Sequence, residues 1–172
     1  MSIPAVLDTI RPFEVRHVLI TGGEPLLQRP TPALVEALSA AGYTVSIETH
    51  GELSVAPVAG RARLVMDIKT PSSAMARMGF RGNLGLLRPG DEIKFVIASE
   101  EDYRFARDLV RGGELPEIDI LFSPAVPALH SPGSFPGVTP TWLAERILED
   151  RLPVRMQLQL HKLLWGPDRK GV

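Results

Sequence analysis

The chain has 172 residues, 44% of them hydrophobic, with 19 basic residues against 20 acidic ones and a net charge of −1. That length supports a single core and one domain over residues 1–172, and the balanced charge gives no footprint for nucleic acid or an anionic membrane surface. No cysteine is present, which excludes a disulfide framework, agrees with a cytoplasmic location, and leaves no thiolate for a zinc or iron–sulfur site.

The N-terminal stretch shows no basic region followed by an apolar one, so a secretory leader is not expected. Residues 5–10, AVLDTI, read as the end of a helix, and the chain is expected to begin part-way through a fold. Residues 16–21, RHVLIT, are β-rich and stop at Gly22-Gly23. Thr31 opens a helix with Pro32 at its first position and Gly42 as its C-cap. Strands follow at 43–48 and 63–69, the second closed by Thr70-Pro71.

Residues 71–90 carry Gly79, Gly82, Gly85 and Gly90 and predict a loop with a short helix. EIKFVIA, 92–98, is a strand, and the acids Glu100, Glu101 and Asp102 open a helix where they favour its dipole. A strand at 118–122 ends at Ser123-Pro124, a Pro- and Gly-rich connection runs from 124 to 140, and a helix covers 141–149. The alternation in VRMQLQL, 154–160, predicts a last strand with Gln157, Gln159 and His161 on one face.

Strands alternating with helices, and mostly continuous in apolar residues, predict an α/β fold. Its sheet is parallel with both faces covered. In such sheets ligands sit at the carboxyl ends of strands. Here those ends carry polar residues five or six times over. They include Thr21-Gly22-Gly23-Glu24, Glu48-Thr49-His50-Gly51, Asp67-Ile68-Lys69, Lys94, Ser123-Pro124, and Gln159 with His161.

Glycines at 22 and 23 let a backbone approach a ligand, Pro25 fixes the next turn, and Glu24 offers a carboxylate to an ammonium group. Glu48 suits ribose hydroxyls. Asp67 and Lys69 point the same way from one strand, either as a structural ion pair or toward a ligand. Lys94 carries the same two readings, and His50 reads as a solvent-facing loop residue. Leu163, Leu164 and Trp165 read as core.

HVLITGGEPLLQ resembles the GGEP segment of radical S-adenosylmethionine (SAM) enzymes. VSIETHGEL, LVMDIKTPSS, DEIKFVIASEEDY, ILFSP and RMQLQLHKLLWGPDRKGV sharpen this to the 7-carboxy-7-deazaguanine synthases, from about Val15 to Val172. The resemblance implies an incomplete parallel β/α barrel. It implies a lyase that contracts 6-carboxy-5,6,7,8-tetrahydropterin to 7-carboxy-7-deazaguanine with loss of ammonia, in queuosine biosynthesis for tRNA modification. SAM, a 4Fe–4S cluster and Mg2+ are its implied cofactors. The implied partners are the pterin, an electron donor such as flavodoxin, and a second copy in a homodimer.

By the same resemblance, Gly22, Gly23, Glu24, Pro25, Glu48, Asp67, Lys69 and Ser123 contact SAM. Thr21, Thr49, Gln159 and His161 contact the pterin. The resemblance further implies three cluster cysteines on a loop after a first strand, and neither that loop nor that strand is in this sequence. The chain is therefore expected to be inactive alone, as a truncated form. The alternatives are a cysteine-free SAM- or pterin-binding relative without catalysis, or a non-radical α/β-barrel protein. A missing neighbour also leaves the strand at 16–21 as an edge, which invites self-association.

Overall fold

A computed structural model describes residues 1–73, 78–125 and 137–166, with the side chains of 161–163 excepted. The chain forms two compact units, Met1–Asp67 with Met78–Glu92, and Ile68–Arg77 with Ile93–Val172.

In the first unit, helix α1 spans Ile3–Ile10 and carries its own N-cap, the Ser2 hydroxyl accepting from Ala5 N at 3.4 Å. The expected helix end at 5–10 is thus a full two-turn helix, started by a serine cap and an early proline. Strand β1 spans His17–Ile20, helix α2 Thr31–Ala40, strand β2 Thr44–Thr49 and strand β3 Arg63–Ile68. The strands lie in chain order with β1 at the edge. Both pairs are parallel, with Ile20 opposite Ile47 and Thr49 opposite Met66. Helix α2 packs on β2 and buries Val35 and Leu38 completely, while Ile47, Leu64, Met66 and Phe80 complete the core. Each such burial contributes about 1.5–3 kcal/mol. The glycine-rich region beyond β3 holds 3₁₀ turns at Pro71–Ser73 and Gly79–Leu86 rather than an α-helix.

In the second unit, strand β4 spans Glu92–Ile97, helix α3 Glu100–Arg111, strand β5 Asp119–Pro124 and helix α4 Pro140–Glu149. Ser99 caps α3 by accepting from Asp102 N at 3.2 Å. The rings of Phe95, Phe122, Tyr103 and Trp142 meet edge to face in sequence, with centroids 5.6, 6.1 and 5.7 Å apart. Most of the expected connection from 124 to 140 falls on 126–136, outside the described residues. Among the described residues no helix is long and apolar enough to cross a membrane.

Two expectations change. Strand β6 is only Arg155–Met156, paired in parallel with Leu121 and Phe122 of β5, and helix α5 takes over at Leu160–Trp165. The alternation continues past the point where β5 offers partners: one further bond, Gln157 N to Phe122 O at 2.9 Å, ends the ladder. Gln157, Gln159 and His161 therefore do not share a strand face. Leu164 and Trp165, expected in the core, are 69% and 51% exposed on α5. The second change concerns the sheet faces. On β2, β3 and β4 buried residues alternate with half-buried ones, so only one face is fully covered. Ser46, Glu48, Asp67, Glu92 and Lys94 occupy the other face.

Candidate functional site at the strand ends

The first unit brings the ends of β1 and β2 together through Glu24. Gly22 takes φ of +139°, a conformation that favours glycine, and turns the chain out of β1. Gly22 and Gly23 are exposed, and a Cβ placed on either would meet nothing within 4 Å. Their backbone therefore faces open space, as a ligand-approach segment requires. Pro25, buried, starts a 3₁₀ turn, and its carbonyl accepts from the Thr31 hydroxyl at 2.6 Å.

Glu24 points inward and is 7% exposed. Its Oε1 accepts from Leu26 N at 2.9 Å and from Thr49 Oγ1 at 2.9 Å. Its Oε2 accepts from Thr49 Oγ1 at 3.0 Å and from His50 N at 2.9 Å, with His50 Nε2 at 3.2 Å. Donors of the chain itself thus reach both oxygens of Glu24, which ties the segment after β1 to the end of β2. Thr49, expected against the substrate, is 2% exposed and committed to Glu24. His50, read as a solvent-facing loop residue, is half-buried and holds the same carboxylate.

Thr21 donates to Glu48 Oε2 at 3.4 Å, so a hydroxyl and a carboxylate from neighbouring strand ends stand side by side. Glu48 and Asp67 lie on the half-buried faces of β2 and β3.

Behind this end, Asn83, which no sequence pattern singles out, and Gly51 shape the loops. Asn83, 4% exposed, donates to the carbonyls of Gly51 and Leu53 at 2.8 Å and accepts from Val55 N at 3.0 Å. It fixes the loop that carries the chain away from His50. Gly51, with φ of +73°, would drive a Cβ to 2.8 Å from the Met66 side chain.

In the second unit, Asp102 is fully buried and accepts from Ser72 N at 2.8 Å and Ala98 N at 2.9 Å. Ser72 Oγ and Ser99 Oγ lie 2.9 Å apart, and Thr70 donates to Val96 O at 3.1 Å. This cluster pins the loop that follows the half-buried Lys69 to the end of β4. Ser123, at the end of β5, is 1% exposed, and its hydroxyl has no hydrogen-bond partner among the described residues. The buried Oε1 of Gln159 is likewise without one. His161 lies on α5, and its side chain is outside the described residues.

A groove of about 600 Å³ at the opposite ends of the strands is lined by Thr44, Arg61, Arg63 and Arg88. Arg61 pairs with Glu36, and Arg63 with Glu92 at 2.7 Å. That groove is remote from every polar strand end, so volume alone does not mark the site.

In the first unit the residues present fit SAM: the open Gly22–Gly23 backbone suits the amino group and the Glu48 carboxylate suits hydroxyls. They do not fit a 4Fe–4S cluster, which needs thiolates that none of the 172 residues provides. Among the described residues no group of three His, Cys, Asp or Glu that could hold a metal occurs.

No family model matches the chain. Whole-sequence likeness is high. A protein of Chlorobaculum tepidum named 7-carboxy-7-deazaguanine synthase is 42% identical over 176 residues, covering 100% of this chain and 76% of the relative. A protein of Koribacter versatilis with the same name is 44% identical over 162 residues, covering 90% of this chain and 71% of its own length. Among solved structures, QueE from Escherichia coli aligns with a TM-score of 0.59 at 21% identity, over 91% of this chain and 64% of that one. Streptococcus suis SuiB bound to S-adenosylmethionine aligns with a TM-score of 0.56 at 13% identity, over 90% of this chain and 42% of that one. The two structural likenesses are likenesses of fold, and they agree with a parallel α/β sheet.

Proposed function

The chain belongs to the 7-carboxy-7-deazaguanine synthase family, and from that premise we propose that its strand ends bind SAM and a carboxylated tetrahydropterin. The observation that carries the SAM reading is the exposed Gly22–Gly23 backbone, open above and tied down beneath by Glu24.

In this reading the main chain of Gly22 and Gly23 receives the SAM amino group, and Glu24 sets the position of that main chain. Pro25 fixes the turn. Glu48, with Thr21 beside it, takes hydroxyl groups of the ligand, and Asp67 and Lys69 supply charge from the end of β3. Ser123 offers its orphaned hydroxyl to the cofactor, while Gln159 and His161 supply an amide and an imidazole for the pterin's polar edge and carboxylate.

SAM would supply radical chemistry only together with a cluster, for which this chain holds no ligands, so its own residues account for binding and orientation alone. The family premise also brings a homodimer, a cytoplasmic location and an electron donor such as flavodoxin, which would serve the cluster.

Calorimetric titration with SAM tests the reading. The expected result is saturable binding by the chain and its loss in Gly23→Val, a site where a side chain meets no protein atom but would stand in the ligand's place. Absence of heat with the parent chain, or equal binding by Gly23→Val, would overturn it.

A further inference from the structure

We infer that His50 is a positioning residue: with Thr49 it holds the Glu24 carboxylate, and through Glu24 it fixes the Gly22–Gly23 backbone. The inference rests on the SAM reading for its functional meaning, while the geometry behind it is independent of any ligand.

Hydrogen-bond directions settle where the protons are. His50 Nδ1 accepts the Glu52 N–H at 3.0 Å, so that nitrogen carries a lone pair. In the neutral ring the proton is then on Nε2, which lies 3.2 Å from Glu24 Oε2 in a polar contact. Thr49 behaves in parallel. Its Oγ1 accepts from Gly51 N at 3.3 Å, and its own hydrogen goes to Glu24. Each of these side chains thus takes an N–H from two residues further along and faces the same carboxylate.

Leu26 N, Thr49 Oγ1 and His50 N donate to the Glu24 carboxylate, and His50 Nε2 stands beside its Oε2. With donors of the chain on both oxygens, the influence of Glu24 on a ligand ammonium passes through the backbone it anchors. Loss of the imidazole leaves the Glu52 N–H without its acceptor and Glu24 Oε2 without one of its neighbours. One tie between the two strand ends is lost, while those through Thr49 Oγ1 and the backbone N–H of residue 50 remain.

Hydrogen–deuterium exchange on the full chain without ligand tests this, with residues 100–111 of α3 as internal reference. In His50→Ala the hydrogen-bonded amides of Leu26, Leu27 and Gln28 are expected to exchange about tenfold faster. His50→Gln, whose side-chain amide places an N–H near the position of Nε2, is expected to restore most of the protection. Imidazole nitrogen NMR of the parent chain should show Nε2 protonated and Nδ1 bare. With SAM, His50→Ala should bind about tenfold more weakly and His50→Gln nearly as the parent does.

Unchanged exchange in His50→Ala, or the opposite tautomer, would overturn the inference. So would loss of α3 protection in both variants, because His50 would then support the whole fold rather than one segment. A parent chain that gives no heat with SAM removes the cofactor reading alone, and the exchange result still decides the role of His50.

Discussion

The Thr49 hydroxyl lies 2.9 and 3.0 Å from the two oxygens of Glu24, so a buried acceptor on the β1 side and a buried donor at the end of β2 are locked together. Replacing that acceptor by a part-donor breaks the arrangement without changing its size. Glu24→Gln turns an N–H2 group toward the Thr49 and His50 donors, and one or more of them loses its acceptor. The expected cost is about 2 kcal/mol, read as a lower midpoint in urea unfolding with an unchanged slope.

Asn83 offers a second, independent measure of how tightly the strand ends are held. Asn83→Leu removes one acceptor and two donor contacts at a 4% exposed position, leaving Val55 N and the Gly51 and Leu53 carbonyls without their partners. A loss of about 3 kcal/mol follows. A midpoint close to that of the parent chain would show that the loop finds substitute partners.

The α3–α4 contact responds to acid. The Tyr103 hydroxyl lies 2.7 Å from Asp150 Oδ2 and 2.7 Å from Arg146 O, and Arg111 reaches Asp150 Oδ1 at 2.8 Å. The Tyr103 hydrogen bond, helped by Arg111 and Arg107 and opposed by partial burial, holds the Asp150 carboxyl below its ordinary value of 3.8. A depressed carboxyl stabilises the fold above its unfolded value and loses that contribution as pH falls through the folded one. Thermal melts of Asp150→Asn should therefore lie beneath those of the parent chain near neutrality, and the gap should close only as pH falls below 3.8 toward the lower folded value. Burial first, then Asp150, raises the Tyr103 phenol, so the phenol keeps its proton through the same range.

Cluster chemistry has a visible test. Because no thiolate is available, reconstitution with iron and sulfide should leave the chain colourless. A brown product with absorption near ~400 nm and about four irons per chain would refute this.

The sequence shows the strand ends because apolar runs stop abruptly at polar residues: Ile20 before Thr21-Gly22-Gly23, Ile47 before Glu48, Ile68 before Lys69. Other features escape it for identifiable reasons. Asn83 and Asp102 act on backbone N–H groups about thirty residues away, and any side chain can sit beside a backbone N–H. His50 looks like a loop histidine because its acceptor, Glu24, is distant in sequence. The segment 154–160 misleads because alternating apolar residues describe a strand only while a neighbour supplies hydrogen bonds, and β5 does so for two residues. The expectation of covered faces rested on the apolar runs and gave no weight to the half-buried Ser46, Glu48 and Asp67 that alternate with buried residues.

That two-sided pattern on β2, β3 and β4 implies an uneven record under saturation mutagenesis. At Val45, Ile47, Leu64, Met66, Ile93 and Phe95, nearly every polar replacement should be purged by a selection for expression alone. At Ser46, Glu48 and Asp67 the same selection should be permissive, and a screen for SAM binding should not be. The difference between the two maps would trace the ligand-facing surface with a period of two.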